Sequence, residues 1–249
     1  MMFAQIGCPT KAETHNREPD VSRILYELCG AEAERCFSPF AWRARMALLH
    51  KGLEFERRPT PFTSIARIAP EAGKTVPILV DGDRTICDSW AIACHLEDAY
   101  PDRPSLFGGD GGHAAAKLIE SWANAAISSR IVQMIVKDIH DILAPEDQAY
   151  FRASREPRLG KTLEAAQEGR EDRLADLATA LLPMHLMLKS QPFIGGAAPM
   201  HTDYLLFGTL QWARVASPFS LIDPESPIGQ WFERCLDLYD GHARAVKAA

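Results

Sequence analysis

No apolar run in the sequence approaches the roughly 18 residues that a helix needs to cross a bilayer, so no segment reads as a transmembrane helix. An excess of basic charge is missing too. Lys and Arg number 27 against 33 Asp and Glu, a net charge of −6, and the pI is near 5.8. A general nucleic-acid binder carries a basic face, so that class of partner is disfavoured. The six cysteines are Cys8, Cys29, Cys36, Cys87, Cys94 and Cys235. They never form CxxC, and no Cys/His spacing has the form of a zinc site. A chain of this size does not depend on disulfide staples, so the thiols read as reduced and the protein as cytoplasmic. Internal repeats and low-complexity tracts are absent as well. Residues 1–20 lack the apolar core of a secretory signal and are crowded with Lys11, Glu13, Arg17, Glu18 and Asp20. They are expected to be a poorly ordered leader.

What is present is an ordinary globular balance. The 249 residues are 47% hydrophobic and 24% charged, enough for one or two domains with a sizeable core. Residues 23–29 have strand composition. Ser38-Pro39 is a strong helix start, an N-cap serine with proline at the first helical position. That helix runs to Lys51, where Gly52 ends it, with Phe40, Ala44, Ala47 and Leu48 as its apolar face. A second strand is expected over 53–58 and a short helix around 64–68. Residues 76–80 form a strand headed by Pro77, and Asp81-Gly82 signals a hairpin to a return strand over 84–87. Asp88-Ser89 caps a helix reaching Tyr100. Residues 101–112 hold two prolines and four glycines, a linker composition. Helices are expected over 113–142, 145–155, 163–189, 202–216 and 228–243. The division is a β-α-β-α-β-β-α domain over 21–100, a linker over 101–112 and an all-α domain over 113–249.

Three local motifs stand in order: Ser38-Pro-Phe-Ala-Trp-Arg-Ala-Arg45, Val76-Pro-Ile-Leu79 and Asp88-Ser-Trp-Ala-Ile92. With the element order they resemble a thioredoxin-like domain, and with the helical half the whole resembles the glutathione transferase fold. The resemblance covers roughly residues 22–245. Further stretches are similar to bacterial lignin β-etherases and fungal etherase-like transferases. They are Ala47-Leu-x-His-Lys-Gly52, Tyr100-Pro-Asp-Arg-Pro-x-Leu-Phe107, Ser154-Arg-Glu156, Thr162-Leu-Glu164 and Gly169-Arg-Glu-Asp-Arg-Leu174. The resemblance implies glutathione as co-substrate, an aromatic electrophile, no metal or redox cofactor, and a homodimer.

By residue, Ser38 is an N-cap from its own context. The resemblance implies that its hydroxyl faces the glutathione sulfur, where the helix amides also favour a thiolate. Phe37, Thr75, Val76 and Pro77 belong to the implied glutathione site. Pro77 is expected in cis, with Val76 offering its N–H and C=O to the cysteinyl backbone. Asp88 and Ser89 cap their helix, and the resemblance adds the γ-glutamyl ammonium and carboxylate to them. For the glycine carboxylate, His50, Lys51, Arg67 and Lys74 are candidates, Lys74 first. Trp122, Ile127, Met134 and His140 read equally as a core stripe and as the second-substrate pocket. Met200-His-Thr-Asp203 sits where relatives have a Ser/Thr-x-x-Asp cap, with Asp203 structural. Cys36 lies two residues before the implied thiolate position. Two other classes stay open: a non-catalytic carrier of aromatic compounds, and a thiol oxidoreductase using Cys36.

Overall fold

The computed structural model describes residues 23–68 and 75–249. The first domain is a four-stranded sheet of β1 (Arg23–Leu28), β2 (Glu56–Thr60), β3 (Ile78–Asp81) and β4 (Arg84–Cys87), in spatial order β2-β1-β3-β4. β2 runs parallel to β1, while β3 is antiparallel to both β1 and β4. Helices α1 (Pro39–His50), α2 (Ile65–Ile68) and α3 (Ser89–Ala99) complete it. The rest is helical: α4 (Asp110–Trp122), α5 (Ser129–Asp141), α6 (Pro145–Leu159), α7 (Leu163–Gln167), α8 (Leu174–Leu188), α9 (His201–Ala216) and α10 (Pro227–Gly241). A thioredoxin-like α/β half followed by an all-α half is the expected architecture. The expected leader lies outside the described residues. Among those described, no helix is long and apolar enough to cross a membrane.

Several boundaries differ from the sequence reading for identifiable reasons. β2 begins at Glu56, not Leu53, because Leu53 belongs to the end of α1. Its N–H donates to Leu48 O, and Gly52 N–H to Leu49 O, with Gly52 at φ +62°. That pair of bonds closes the helix. Pro59 falls inside β2, which is an edge strand, where a missing N–H costs no ladder bond. The helix expected over 113–142 starts at Asp110 and is interrupted by a π-helical turn at Ala123–Ser128. The helix expected over 163–189 is broken. Gly169, at φ +64°, ends the α7 region, and a 3-10 turn at Arg170–Arg173 leads into α8. α6 continues past 155 to Leu159 with Pro157 inside it.

The two halves meet along α1 and α9. Residues 41–48 of α1 are all buried, Arg43 and Arg45 included, while Phe40 is 37% exposed. The expected apolar stripe through Phe40 is therefore corrected. α1 lies between the sheet and α9 and is covered almost all round, so no single face carries the burial signal. Gly208 allows the close approach of α9. A Cβ there would meet Pro39 O at 2.5 Å and Arg43 Cγ at 3.1 Å. Beside it, Trp42 meets Phe207 edge-on at 6.2 Å. Arg43 stitches the seam, donating to Leu205 O, Asn124 Oδ1 and Thr209 Oγ1. Burial pulls its pKa down to about 10.

Candidate functional site

α1 and α3 pack together, and both begin at the same end of the sheet as the turn that enters β3. α1 has no acidic residue at its cap or in its first turn, so its N-terminal dipole keeps a positive character, whereas α3 carries the Asp88 carboxylate at its cap. Ser38 caps α1. Its Oγ accepts from Ala41 N–H at 3.3 Å, and the residue is 4% exposed. The bond uses a lone pair and leaves the hydroxyl proton free to donate. Phe37 is buried against Phe62, and its N–H is committed to Leu28 O at 3.0 Å.

The Val76–Pro77 peptide is cis, and both residues are buried. Val76 lies just outside β3, and its N–H and C=O have no hydrogen-bond partner among the described residues. Thr75 is exposed, and Lys74 lies outside the described residues. Asp88 adopts φ +79°, which a non-glycine residue seldom does. Its Oδ1 accepts from Trp90 and Ala91 N–H, at 2.9 and 3.1 Å. Oδ2 has no partner among the described residues, and Asp88 is exposed. Ser89 is 2% exposed and its hydroxyl has no partner among the described residues. Leaving such a group unpaired costs about 1–3 kcal/mol. At the N-terminus of α3, an anionic ligand group fits the orphan hydroxyl.

The other candidates fall elsewhere. His50 and Lys51 are corrected as carboxylate ligands because both are committed at the far end of α1. His50 Nδ1 meets Tyr204 Oη at 2.7 Å and Nε2 meets Ser105 O at 3.0 Å. Lys51 is buried and pairs with Glu97 at 2.6 Å. Arg67 is exposed on α2. Ile127 and Met134 have no exposed surface and sit in the core, so neither forms a pocket wall in this arrangement; Trp122 is half-buried. Cys36 is 1% exposed and its Sγ contacts Ala33 O at 3.5 Å. Burial, aided by Glu27, pushes its thiol up to about 12, so it is protonated at neutral pH. Asp203 is fully buried and accepts from Ile194, Gly195 and Met200 N–H and from Trp231 Nε1, at 2.7–3.0 Å. Met200 contributes only its backbone N–H to this carboxylate, and Asp203 has the structural place expected of it.

Sequence reasoning missed the polar groups buried behind the site. Glu27 accepts two bonds from Arg45, both at 2.6 Å, and one from Arg57 at 2.7 Å. Arg43 and Arg45 stood in the first motif, but nothing in their spacing distinguishes a buried arginine from a solvated one.

The fold thus defines a thioredoxin-like domain with two helix starts and a cis-proline turn at one end, joined to a helical domain through α1. Comparison with known proteins agrees. Residues 37–99 match the model of the glutathione S-transferase N-terminal domain, and residues 114–220 that of the C-terminal domain. A glutathione transferase of Phanerochaete chrysosporium superposes with a TM-score of 0.72 at 25% identity, covering 91% of this chain and 98% of its own. A glutathione S-transferase of Ceriporiopsis subvermispora, solved in complex with glutathione, superposes with a TM-score of 0.72 at 21% identity, covering 90% and 94%. Among curated proteins, glutathione S-transferase 1 of Dianthus caryophyllus is 42% identical over 74 residues, 28% of this chain. The glutathione S-transferase-like protein ustS of Aspergillus flavus is 26% identical over 137 residues, 51% of this chain. The chain spans 34% and 49% of the length of these two relatives. The chain belongs to the glutathione S-transferase superfamily.

Proposed function

We propose that the protein is a glutathione transferase of serine type. The observation that carries this reading is the pair of hydroxyls at two helix starts, Ser38 with its proton free to donate and Ser89 without a partner among the described residues, together with the cis Val76–Pro77 turn. Glutathione binds across that end of the sheet. Its γ-glutamyl carboxylate takes the Ser89 hydroxyl at the start of α3, and its ammonium group faces the Asp88 carboxylate. Its cysteinyl backbone pairs with Val76. The Ser38 hydroxyl donates to the sulfur, and the start of α1 adds its dipole, so the thiolate is favoured near neutral pH.

The thiolate attacks an aromatic electrophile. The etherase-like stretches of the sequence favour a β-aryl ether. The new C–S bond forms as the C–O bond breaks, the phenoxide leaves with the electron pair and takes a proton from water, and a glutathione thioether remains. The working form is a homodimer in the cytoplasm.

The test combines calorimetry, thiolate absorbance and phenol release from guaiacyl β-aryl ethers. Ser89→Ala should weaken glutathione binding by about 1.5–3 kcal/mol, the worth of one hydrogen bond to a charged group. Ser38→Ala should raise the pKa of bound glutathione and slow turnover about tenfold to a hundredfold. Unchanged affinity in Ser89→Ala sinks the binding site. An unchanged titration in Ser38→Ala sinks the serine mechanism, and glutathione binding without phenol release removes the ether substrate.

A further inference from the structure

Cys29 and Cys36 are paired across an isolated antiparallel bridge just beyond the end of β1. The hydrogen bonds around them fix the type of pair. Phe37 N–H donates to Leu28 O at 3.0 Å, while Cys29 N–H points the other way, to Thr60 O at 3.2 Å. Cys29 and Cys36 are therefore directly opposite in a non-hydrogen-bonded position. There the Cα atoms stand about 4.5 Å apart and the side chains leave the same face. Disulfides accept Cα separations of about 4.4–6.8 Å. Both residues are buried, at 3% and 1% exposure, and both thiols are free. The loop between them, 31–34, is exposed.

The geometry points to a reversible disulfide between Cys29 and Cys36 that locks the segment leading into Ser38. Ser38 follows Cys36 by two residues, and Trp42 of α1 donates its indole N–H to Cys36 O at 3.1 Å. The cross-link ties the start of α1 to β1. This inference stands whether or not the protein is a transferase, because the bridge alone carries it.

The oxidant is a small-molecule disulfide, glutathione disulfide. One protein thiolate attacks it, forming a mixed disulfide and releasing one glutathione. The second protein thiolate attacks the protein sulfur of that mixed disulfide and releases another. Two protein thiols are oxidised by two electrons, one glutathione disulfide is reduced, and the two protons leave on the two glutathione molecules. The reaction is slow near neutral pH, because the thiolate is the nucleophile and both thiols are held protonated. Burial, with Asp147 and Glu27, pushes Cys29 up to about 11. Burial and Glu27 push Cys36 up to about 12, with Arg45 and Arg57 pulling it back. The lock follows a sustained redox state and not a brief pulse.

The full chain is incubated with glutathione disulfide at neutral and mildly alkaline pH, free thiols are alkylated, and the protein is digested with trypsin without reduction. Trypsin cuts after Arg35, so the expected product is a disulfide-linked pair of peptides, 24–35 and 36–43. Its yield should rise about tenfold per pH unit below the thiol pKa values. The link should be lost in Cys29→Ser and in Cys36→Ser, and amides of 30–36 should exchange about tenfold more slowly in the oxidised protein. Two results overturn the disulfide. One is that Cys29 and Cys36 both remain alkylatable at alkaline pH after Cys87 and Cys94 have reacted. The other is that Cys36 stops at a stable glutathione adduct with Cys29 present. Unchanged exchange in cross-linked protein overturns the locking.

Discussion

Lowering the pH should weaken this fold through a single side chain, His201. The residue opens α9 and is fully buried, and neither ring nitrogen has a hydrogen-bond partner among the described residues. Its neighbours are aromatic: Phe107 at 5.3 Å, Trp90 at 6.1 Å and Tyr204 at 6.3 Å between ring centres. The charged and titratable groups facing it are Arg43 and His50 from α1, Glu97 from α3 and His113 from α4. Burial, followed by repulsion from Arg43, pulls its pKa down to about 3. An unfolded histidine titrates near 6.5. Between those values the unfolded chain binds a proton that the folded chain refuses, so stability falls as pH falls. Each unit is worth about 1.4 kcal/mol, hence about 2.7 kcal/mol between pH 6.5 and 4.5 and about 5 kcal/mol when complete. His201→Leu removes the titration. At pH 7 the lost aromatic contacts, about 0.5–1.5 kcal/mol, are offset by the removal of an unpaired N–H, so stability should change by less than about 1 kcal/mol. Urea unfolding of both proteins at pH 7 and 4.5 isolates the effect, because the other titrating groups are common to both. The variant should gain about 2.7 kcal/mol on the wild type over that interval. Equal acid losses in the two proteins would refute the reasoning.

Gly208→Ala should cost about 1–3 kcal/mol in chemical denaturation, because its Cβ would meet the Pro39 carbonyl at 2.5 Å. A neutral result would mean that α9 can retreat from α1 freely. Glu27→Ala should destabilise by about 3–5 kcal/mol, since it leaves the buried Arg45 without its anion. An unchanged urea midpoint contradicts that pairing.

The sequence displayed what is local. Ser38-Pro39 and Asp88-Ser89 start helices because cap side chains act on amides two or three residues away, and both caps are present. Asp81-Gly82 turns the chain because Gly82 takes φ +61°. The misplaced β2 shows the limit. Leu53 has the right composition for a strand, but the carbonyls at the end of α1 claim its amide first. The π-helical turn at Ala123–Ser128 left no trace, since Ala-Asn-Ala-Ala-Ile-Ser suits a regular helix equally well. Gly169 was visible as a glycine, but a glycine inside an apolar pattern reads as tolerated as readily as breaking.

The candidate site divides along the same line. Its two hydroxyls sit at helix starts and could be found from neighbouring residues alone. The cation candidates could not be judged that way, because their partners lie far along the chain. His50 reaches Tyr204 and Ser105, and Lys51 reaches Glu97. Those contacts draw the end of α1 into the linker, α3 and α9, while the start of the same helix carries Ser38. One rigid element thus holds the Ser38 hydroxyl at one end and the domain seam at the other. A rigid helix transmits displacement along its axis, so the position of Ser38 depends on Arg43, Gly208 and Lys51 as well as on its own cap. These long-range contacts hold the site in place and contribute no atom to the ligand, which is why motif spacing says nothing about them.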